Sequence, residues 1–250
     1  MRIVTWNING GYGLVSTNPR KYTDVETLSF FLGHLRSLNA DVVCLQEVHT
    51  NSHRSQTQLI AEKLGYPYTF ETIASNSHID PEYKLANAIL SKQPFKTTKA
   101  VCLPRPTFLL ELPLLPNGQR AEIHDKYLQV VEFETFMIAN VHTLPLQVLN
   151  ASYDSEDGKQ FAGEVEKVFL EHLTSPLIFC GDFNHKDIAG LYPKLFDELN
   201  LLDALPNRPS TPNSDARIDY ILVSSNIEVL DVGIQPTFAD HFPCWLELKV

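Results

Sequence analysis

No run of residues in this chain is apolar for the length that a bilayer requires. The first residues, Met1-Arg2-Ile3-Val4-Thr5-Trp6-Asn7, enter a strand-like pattern at once, with neither a secretory apolar core nor a small-residue cleavage site. A cytoplasmic protein without a membrane span is the expectation. Cysteine is scarce: Cys44, Cys102, Cys180 and Cys244 are scattered, and neither C-x-x-C nor a short Cys/His spacing occurs. That argues for reduced core thiols and against a zinc site. Positive charge is in deficit, with 20 Lys+Arg against 30 Asp+Glu and a net charge of −10. A grip on long nucleic acid draws most of its affinity from phosphate neutralisation by a basic surface. With no basic run, a nucleic acid is not the favoured partner, although a local basic groove keeps it open. Repeats, low-complexity tracts and linker-like shifts of composition are absent too. What is present is 250 residues with 44% hydrophobic content, enough for a sizeable core. One domain over 1–250 is expected; the sequence does not give the oligomeric state, and a monomer is the default expectation.

The apolar pattern divides the chain into elements. Strands are expected over 1–8, 41–47, 66–72, 86–90, 96–103, 127–133, 136–142, 177–180, 218–224, 227–235 and 244–250, where β-branched and aromatic runs are bounded by turn residues. A helix is expected over 24–38, because Thr23 and Glu26 have capping-box spacing and Val25, Leu28, Phe31, Leu32, Leu35 and Leu38 recur at helical period. Further helices are expected over 53–64, stopped by Gly65, over 159–173, and over 188–199, where Pro193 suits a first helical position. The segment 103–125, with four prolines, reads as an irregular strand or a surface flap.

Polar side chains collect at the ends of these strands. In Leu177-Ile178-Phe179-Cys180-Gly181-Asp182-Phe183-Asn184 an apolar strand runs to a glycine, read here as its end, and then to a carboxylate and an amide that extended backbone would point to one side. Asn7, Glu47, His142, Asp219, and Asp240 with His241 sit likewise after or within apolar strands. One such event is an ordinary turn. Its recurrence along the whole chain is better explained by strands converging on one pocket. Clustered carboxylates repel, and a hard divalent cation is the economical compensation. Trp6 and Phe183 alternate away from this set and read as core; His49, His53 and His185 read as loop residues, and Arg217 as a phosphate contact or a surface ion pair.

The segments Thr5-Trp6-Asn7-Ile8, Leu45-Gln46-Glu47-Val48, Asn140-Val141-His142-Thr143, Gly181-Asp182-Phe183-Asn184, Arg217-Ile218-Asp219-Tyr220-Ile221-Leu222 and Ala239-Asp240-His241-Phe242-Pro243 together resemble, in order, the motifs of the endonuclease/exonuclease/phosphatase superfamily. The resemblance spans essentially the whole chain. It implies an α+β sandwich of the deoxyribonuclease I-like four-layer kind, with two packed, mostly antiparallel β-sheets flanked by helices and the active site at one sandwich edge. It also implies roles. Glu47 would be the principal Mg2+ or Mn2+ ligand, with Asn7 beside it and Asp240 on the metal side. Asp182 would orient or deprotonate the attacking water. Asn184 would bond the scissile phosphate or the metal shell. Asp219 would pair with His241 so that its imidazolium stabilises the transition state, and His142 would donate to a phosphoryl oxygen or the leaving group. Asn9 departs from the pattern, because several members carry an aspartate there; the number of metal ions therefore stays open.

The function implied is metal-dependent hydrolysis of a phosphodiester or phosphomonoester by in-line water attack. The loops expected at the catalytic edge, 9–23, 74–85, 144–158 and 206–216, are polar and not notably basic. A small or lipid-linked phosphoester is therefore the leading substrate class, against a DNA or RNA endonuclease, exonuclease or end-processing phosphodiesterase. A non-catalytic binding scaffold of the same fold is the alternative from another class.

Overall fold

The computed structural model describes residues 1–108, 110–112, 114, 122–212 and 217–249. Parts of the expected 103–125 flap and 206–216 loop, and the last residue of the expected 244–250 strand, lie outside the described residues. In chain order the first elements are β1 (Arg2–Asn7), β2 (Leu14–Thr17), β3 (Arg20–Tyr22), α1 (Leu28–Leu38), β4 (Val42–Thr50), α2 (Gln56–Leu64), β5 (Tyr68–Asn76) and β6 (Lys84–Ser91). There follow β7 (Thr97–Cys102), β8 (Tyr127–Glu132), β9 (Met137–His142), α3 (Glu156–His172) and β10 (Leu177–Asp182). The last are α4 (Ile188–Leu191), α5 (Pro193–Leu199), β11 (Leu201–Asp203), β12 (Asp219–Ser224), β13 (Val229–Ile234) and β14 (Cys244–Leu248).

Two six-stranded sheets face each other, in the orders β13-β14-β1-β4-β6-β5 and β11-β12-β10-β9-β8-β7. Each has one parallel pair at its centre, β1 with β4 and β10 with β9, and antiparallel pairs elsewhere. The apolar faces of α1 and α2 cover the first sheet through Phe31, Leu35 and Ile60 against Trp6, Val43 and Leu45. Phe161, Val165 and Phe169 of α3, with Leu195 of α5, cover the second against Phe179 and Leu222. The expected sandwich of two packed, mostly antiparallel sheets flanked by helices is thus the observed one, each sheet being mixed only through its central parallel pair.

The space between the sheets is graded in polarity, and the grading positions the site. Inward-facing residues at period two run from Ile3 through Thr5 to Asn7 on β1, from Ile138 through Asn140 to His142 on β9, and from Ile178 through Cys180 to Asp182 on β10. On the antiparallel neighbour β12 the same gradient runs backwards, Val223, Ile221, Asp219. An apolar floor therefore gives way to neutral polar groups and then to ionisable ones at a single edge. The middle layer is bonded across the sheets, where Gln46 Nε2 donates to Asn140 Oδ1 at 2.7 Å, and along the second sheet, where Asn140 Nδ2 donates to Gln129 Oε1 at 2.9 Å.

Some elements differ from expectation. α1 starts at Leu28, not at 24, and the Thr23–Glu26 capping box does not form; Thr23 donates its N–H to the Gly13 carbonyl, and Glu26 pairs with Arg54. The expected 188–199 helix is two, broken at Tyr192, with Pro193 opening α5. The expected 9–23 loop contains the hairpin β2–β3. Gly65 stops α2 in a left-handed conformation, as expected.

Candidate active site

Gly181 does not end its strand. Its φ is +142°, and a Cβ there would fall 1.9 Å from the Val141 carbonyl oxygen, so glycine lets β10 pass close to β9 and carry Asp182 one residue further. Asp182 and Asn184 are then joined through a turn and not along extended backbone: Asn184 has φ +49°, and its N–H donates to Asp182 Oδ1 at 2.9 Å. The end of β1 repeats the device, since Asn9, at φ +45°, donates its N–H to Asn7 Oδ1 at 3.0 Å. The two strand ends meet where Asn7 Nδ2 donates to Asp182 Oδ2 at 3.1 Å. Glu47 sits in a bulge of β4, where the pairing with β6 slips between Leu45 and Val48, and its φ is +54°. The bulge turns its carboxylate into the same space.

All eight expected site residues converge. Asn7, Glu47, His142, Asp182, Asn184, Asp240 and His241 line one cleft of about 640 Å3, and Asp219 lies behind His241. His241 Nδ1 donates to Asp219 Oδ2 at 2.9 Å, and Ser210 Oγ donates to the same oxygen at 2.6 Å. Nε2 of His241 is left facing Asp182 Oδ2 at 3.7 Å. His142 Nε2 lies 3.6 Å from Asp182 Oδ2 and 3.8 Å from Glu47 Oε1. Trp6, fully buried as expected, donates from Nε1 to the His241 carbonyl at 2.8 Å and fixes that turn.

Charge in the cleft is arranged unevenly. Burial pulls the His241 pKa down, but the carboxylates of Asp219, Asp182 and Asp240 outweigh it and raise it to about 10. Burial pushes Asp182 up to about 7 against the opposing pull of His241. Burial, followed by the charges of Lys126 and His241, holds His142 well below the usual histidine value, so its ring is neutral. Glu47 goes the other way: burial opposes its charge, yet His78, Lys126 and His241 lower its pKa.

Several expectations are refined. Asp240 Oδ2 accepts from Tyr22 at 2.7 Å and Oδ1 lies 3.4 Å from Arg20, so hairpin β2–β3 forms a wall of the cleft. Asn184 Nδ2 donates to the Thr143 carbonyl at 3.0 Å. Arg217 pairs with Asp203 and stacks 4.4 Å over the Tyr220 ring, away from the cleft lining. His49 is not a loop residue; it is fully buried near the end of β4, hydrogen-bonded to Ser77 Oγ at 2.8 Å and stacked on Tyr83. Lys126, Arg20, Tyr22, His78, His124 and Ser210 were not singled out in the sequence. Lys126 directly precedes the expected 127–133 strand, and the observed antiparallel pairing of β8 with β9 puts it beside His142.

Residues 4–243 match the sequence profile of the Endonuclease/Exonuclease/phosphatase family. The chain belongs to this family, a group of phosphoesterases. Similar solved structures cover all of it. An endonuclease/exonuclease/phosphatase from Beutenbergia cavernae DSM 12333 is 19% identical with a TM-score of 0.71, over 71% of that chain. A 3' phosphatase from Neisseria, bound to a product DNA hairpin, is 18% identical with a TM-score of 0.61 over 100% of that chain. A mannosyl-6-phosphatase from Bacteroides thetaiotaomicron VPI-5482 is 17% identical with a TM-score of 0.60, also over 100%. No curated protein sequence matches. Among the described residues no helix is long and apolar enough to cross a membrane.

A family of phosphoesterases raises the question of a divalent ion. The donors that Glu47, Asn7 and Asp240 offer are all oxygen, as a hard cation prefers. The buried Glu47 carboxylate favours its charged form, and Asp240 Oδ1 accepts no hydrogen bond among the described residues, its charge being met only by Arg20 at 3.4 Å. These residues fit such an ion. Asp182, Asp219 and His241 also offer ligand atoms within 4.8 Å of one another, but these are already bonded among themselves and to Asn7 and Ser210.

Proposed function

We propose that the protein is a Mg2+- or Mn2+-dependent phosphoesterase, acting as a single cytoplasmic catalytic domain, that hydrolyses a phosphodiester or phosphomonoester by in-line attack of water. The observation that carries this reading is the contact chain Asn7–Asp182–His241–Asp219, with Glu47 and His142 beside it at one sandwich edge. Asp182 takes or steers the proton of the attacking water. Burial raises its proton affinity above that of an ordinary carboxylate, as a general base requires, and the donors of Asn7 and Asn184 hold its orientation. Asp219 occupies Nδ1 of His241, so the imidazolium presents Nε2–H to the charge developing on the phosphoryl group. His142, neutral, keeps one N–H to donate to a phosphoryl or leaving oxygen. Asn184 offers its amide to the phosphate or its surroundings. Glu47, with Asn7 and Asp240, would hold Mg2+ or Mn2+, which when bound polarises a phosphoryl oxygen and offsets its charge.

A small or lipid-linked phosphoester is the preferred substrate class. The net charge of −10 repels a polyanion at distance, and one side of the cleft is apolar through Leu144, Pro145, Val148 and Leu149. A nucleic-acid substrate is the second reading, favoured by Arg20 and Lys126 along the same cleft. Solved relatives named a mannosyl-6-phosphatase and a DNA-bound 3' phosphatase are in keeping with either.

The test is turnover of bis-p-nitrophenyl phosphate, lipid head-group esters, inositol phosphates and short DNA and RNA with Mg2+ or Mn2+, across ionic strength. EDTA-sensitive turnover that falls about a hundredfold or more in Asp182→Asn is expected, the usual loss for an acid–base group. Full activity in Asp182→Asn, or no EDTA-sensitive turnover of any substrate, contradicts the reading and leaves a binding scaffold. Steep salt sensitivity with preference for a polymer overturns the small-substrate choice.

A further inference from the structure

Behind the cleft, Gln56 occupies a position that the reaction itself does not explain. It is the first residue of α2 and fully buried. Its Nε2 donates to the Gly10 carbonyl at 2.6 Å and to Glu26 Oε2 at 2.9 Å, while its Oε1 accepts from the His49 N–H at 2.8 Å. One amide therefore grips two separate stretches of backbone. Gly10 belongs to the turn Asn9–Gly11, held at φ +45°, +62° and +80°, whose first N–H fixes Asn7 Oδ1. His49 follows Glu47 by two residues, where β4 is again paired with β6 and closes the bulge on its far side. Glu26 is in turn held ionised by Arg54 and Gln56 despite its burial. The fit is close on both sides: a Cβ on Gly10 would meet the His49 ring at 2.5 Å, and one on Gly11 would meet Gln56 Nε2 at 2.9 Å.

We infer that Gln56 is a positioning residue that sets the spacing between Asn7 and Glu47, and thereby the affinity of the cleft for a divalent cation, without touching ion or substrate. This rests on the assignment of Asn7 and Glu47 as metal ligands. Pairing of β1 with β4 fixes the backbone as far as Asn7 and Gln46, and Glu47 stands in the bulge just beyond, where pairing with β6 slips; the amide ties the turn that follows Asn7 to the backbone that follows Glu47 and removes the freedom that remains between them. Loss of supporting partners of this kind weakens metal sites by about 10- to 100-fold.

The experiment is Mn2+ binding followed by loss of the free-ion electron paramagnetic resonance signal, for wild type, Gln56→Met, Gln56→Glu and Ile60→Val, with turnover against metal concentration in parallel. Gln56→Met keeps the volume and loses all three bonds. Gln56→Glu keeps the acceptor for His49 and loses both donors. Ile60→Val, in the core face of α2, loosens the same helix without the bridge. The expected result is Mn2+ affinity about tenfold weaker or more in both Gln56 variants, turnover at saturating metal within about threefold of wild type, and Ile60→Val binding as wild type does. Should Gln56→Met not fold, Gln56→Glu decides by the same comparison. Unchanged Mn2+ affinity in the Gln56 variants, or an equal weakening in Ile60→Val, overturns this inference alone. A wild type that binds no Mn2+ and hydrolyses nothing overturns the functional proposal, and the inference with it.

Discussion

Asp219 acts on the site through what it does to one imidazole. By accepting from His241 Nδ1 it fixes the tautomer, and with Asp182 and Asp240 it raises the His241 pKa to about 10 in spite of burial. The sign follows from linkage: a group that gains proton affinity on folding adds stability in full below its unfolded pKa, about 6.5 for histidine. In the metal-free protein that contribution is lost as pH climbs from there through about 10. Asp219→Asn removes the nearest negative charge, and NMR titration of the metal-free variant should show the His241 pKa moved down, with turnover lowered about a hundredfold in the presence of metal. A His241 titration identical to wild type would contradict this. At the residue scale the sequence was most informative where chemistry and position coincide: Asn7, Asp182 and Asp219 stand at strand ends, and Glu47 and His241 follow apolar residues into a bulge and a turn, with little other reason for their side chains. Lys126 and Tyr22 are common residue types at unremarkable positions, and only the pairing of β8 with β9 and of β2 with β3 turns them toward the cleft.

Strand registers do more for the site than helices do. Gln46, Asn140 and Gln129 form a hydrogen-bonded row between the sheets directly beneath the ionisable layer, and all three are fully buried. Asn140→Leu keeps the volume but strands a donor of Gln46 and an acceptor of Gln129. It should cost about 2–4 kcal/mol, as unpaired buried polar groups do, read by urea unfolding. A loss under about 1 kcal/mol would show that the row is not needed to hold the sheets in register. Period-two alternation made most strands legible in the sequence. Helix starts were less so: Thr23 and Glu26 have capping-box spacing, but Arg54 and Gln56 claim Glu26 from another part of the chain. The hairpin β2–β3 has strands too short for alternation to register, and Tyr192 breaks a helix whose apolar period runs on through it.

In the whole molecule, the two sheets repeat one sequence of pairings, and each contributes the end of a strand from its central parallel pair, β1 and β10, to the site. The chain's two ends meet in the first sheet, β1 against β14, which is how Asn7 and the turn bearing Asp240 and His241 share an edge despite their distance in sequence. Such convergence is legible in the recurrence of polar residues at the ends of expected strands, and the family in six short motifs in order, each weak alone; the substrate was not legible, because loops and a mixed apolar and basic cleft lining decide it. The central claim is that water attacks phosphorus in the cleft lined by Asn7, Glu47, His142, Asp182, Asn184, Asp240 and His241, with Asp219 behind His241. Hydrolysis of bis-p-nitrophenyl phosphate in 18O-labelled water with Mg2+ or Mn2+ tests it most directly. The account predicts that one labelled oxygen enters the phosphate product and none the nitrophenol, with turnover abolished by EDTA. Label in the nitrophenol, or turnover indifferent to EDTA, would contradict it.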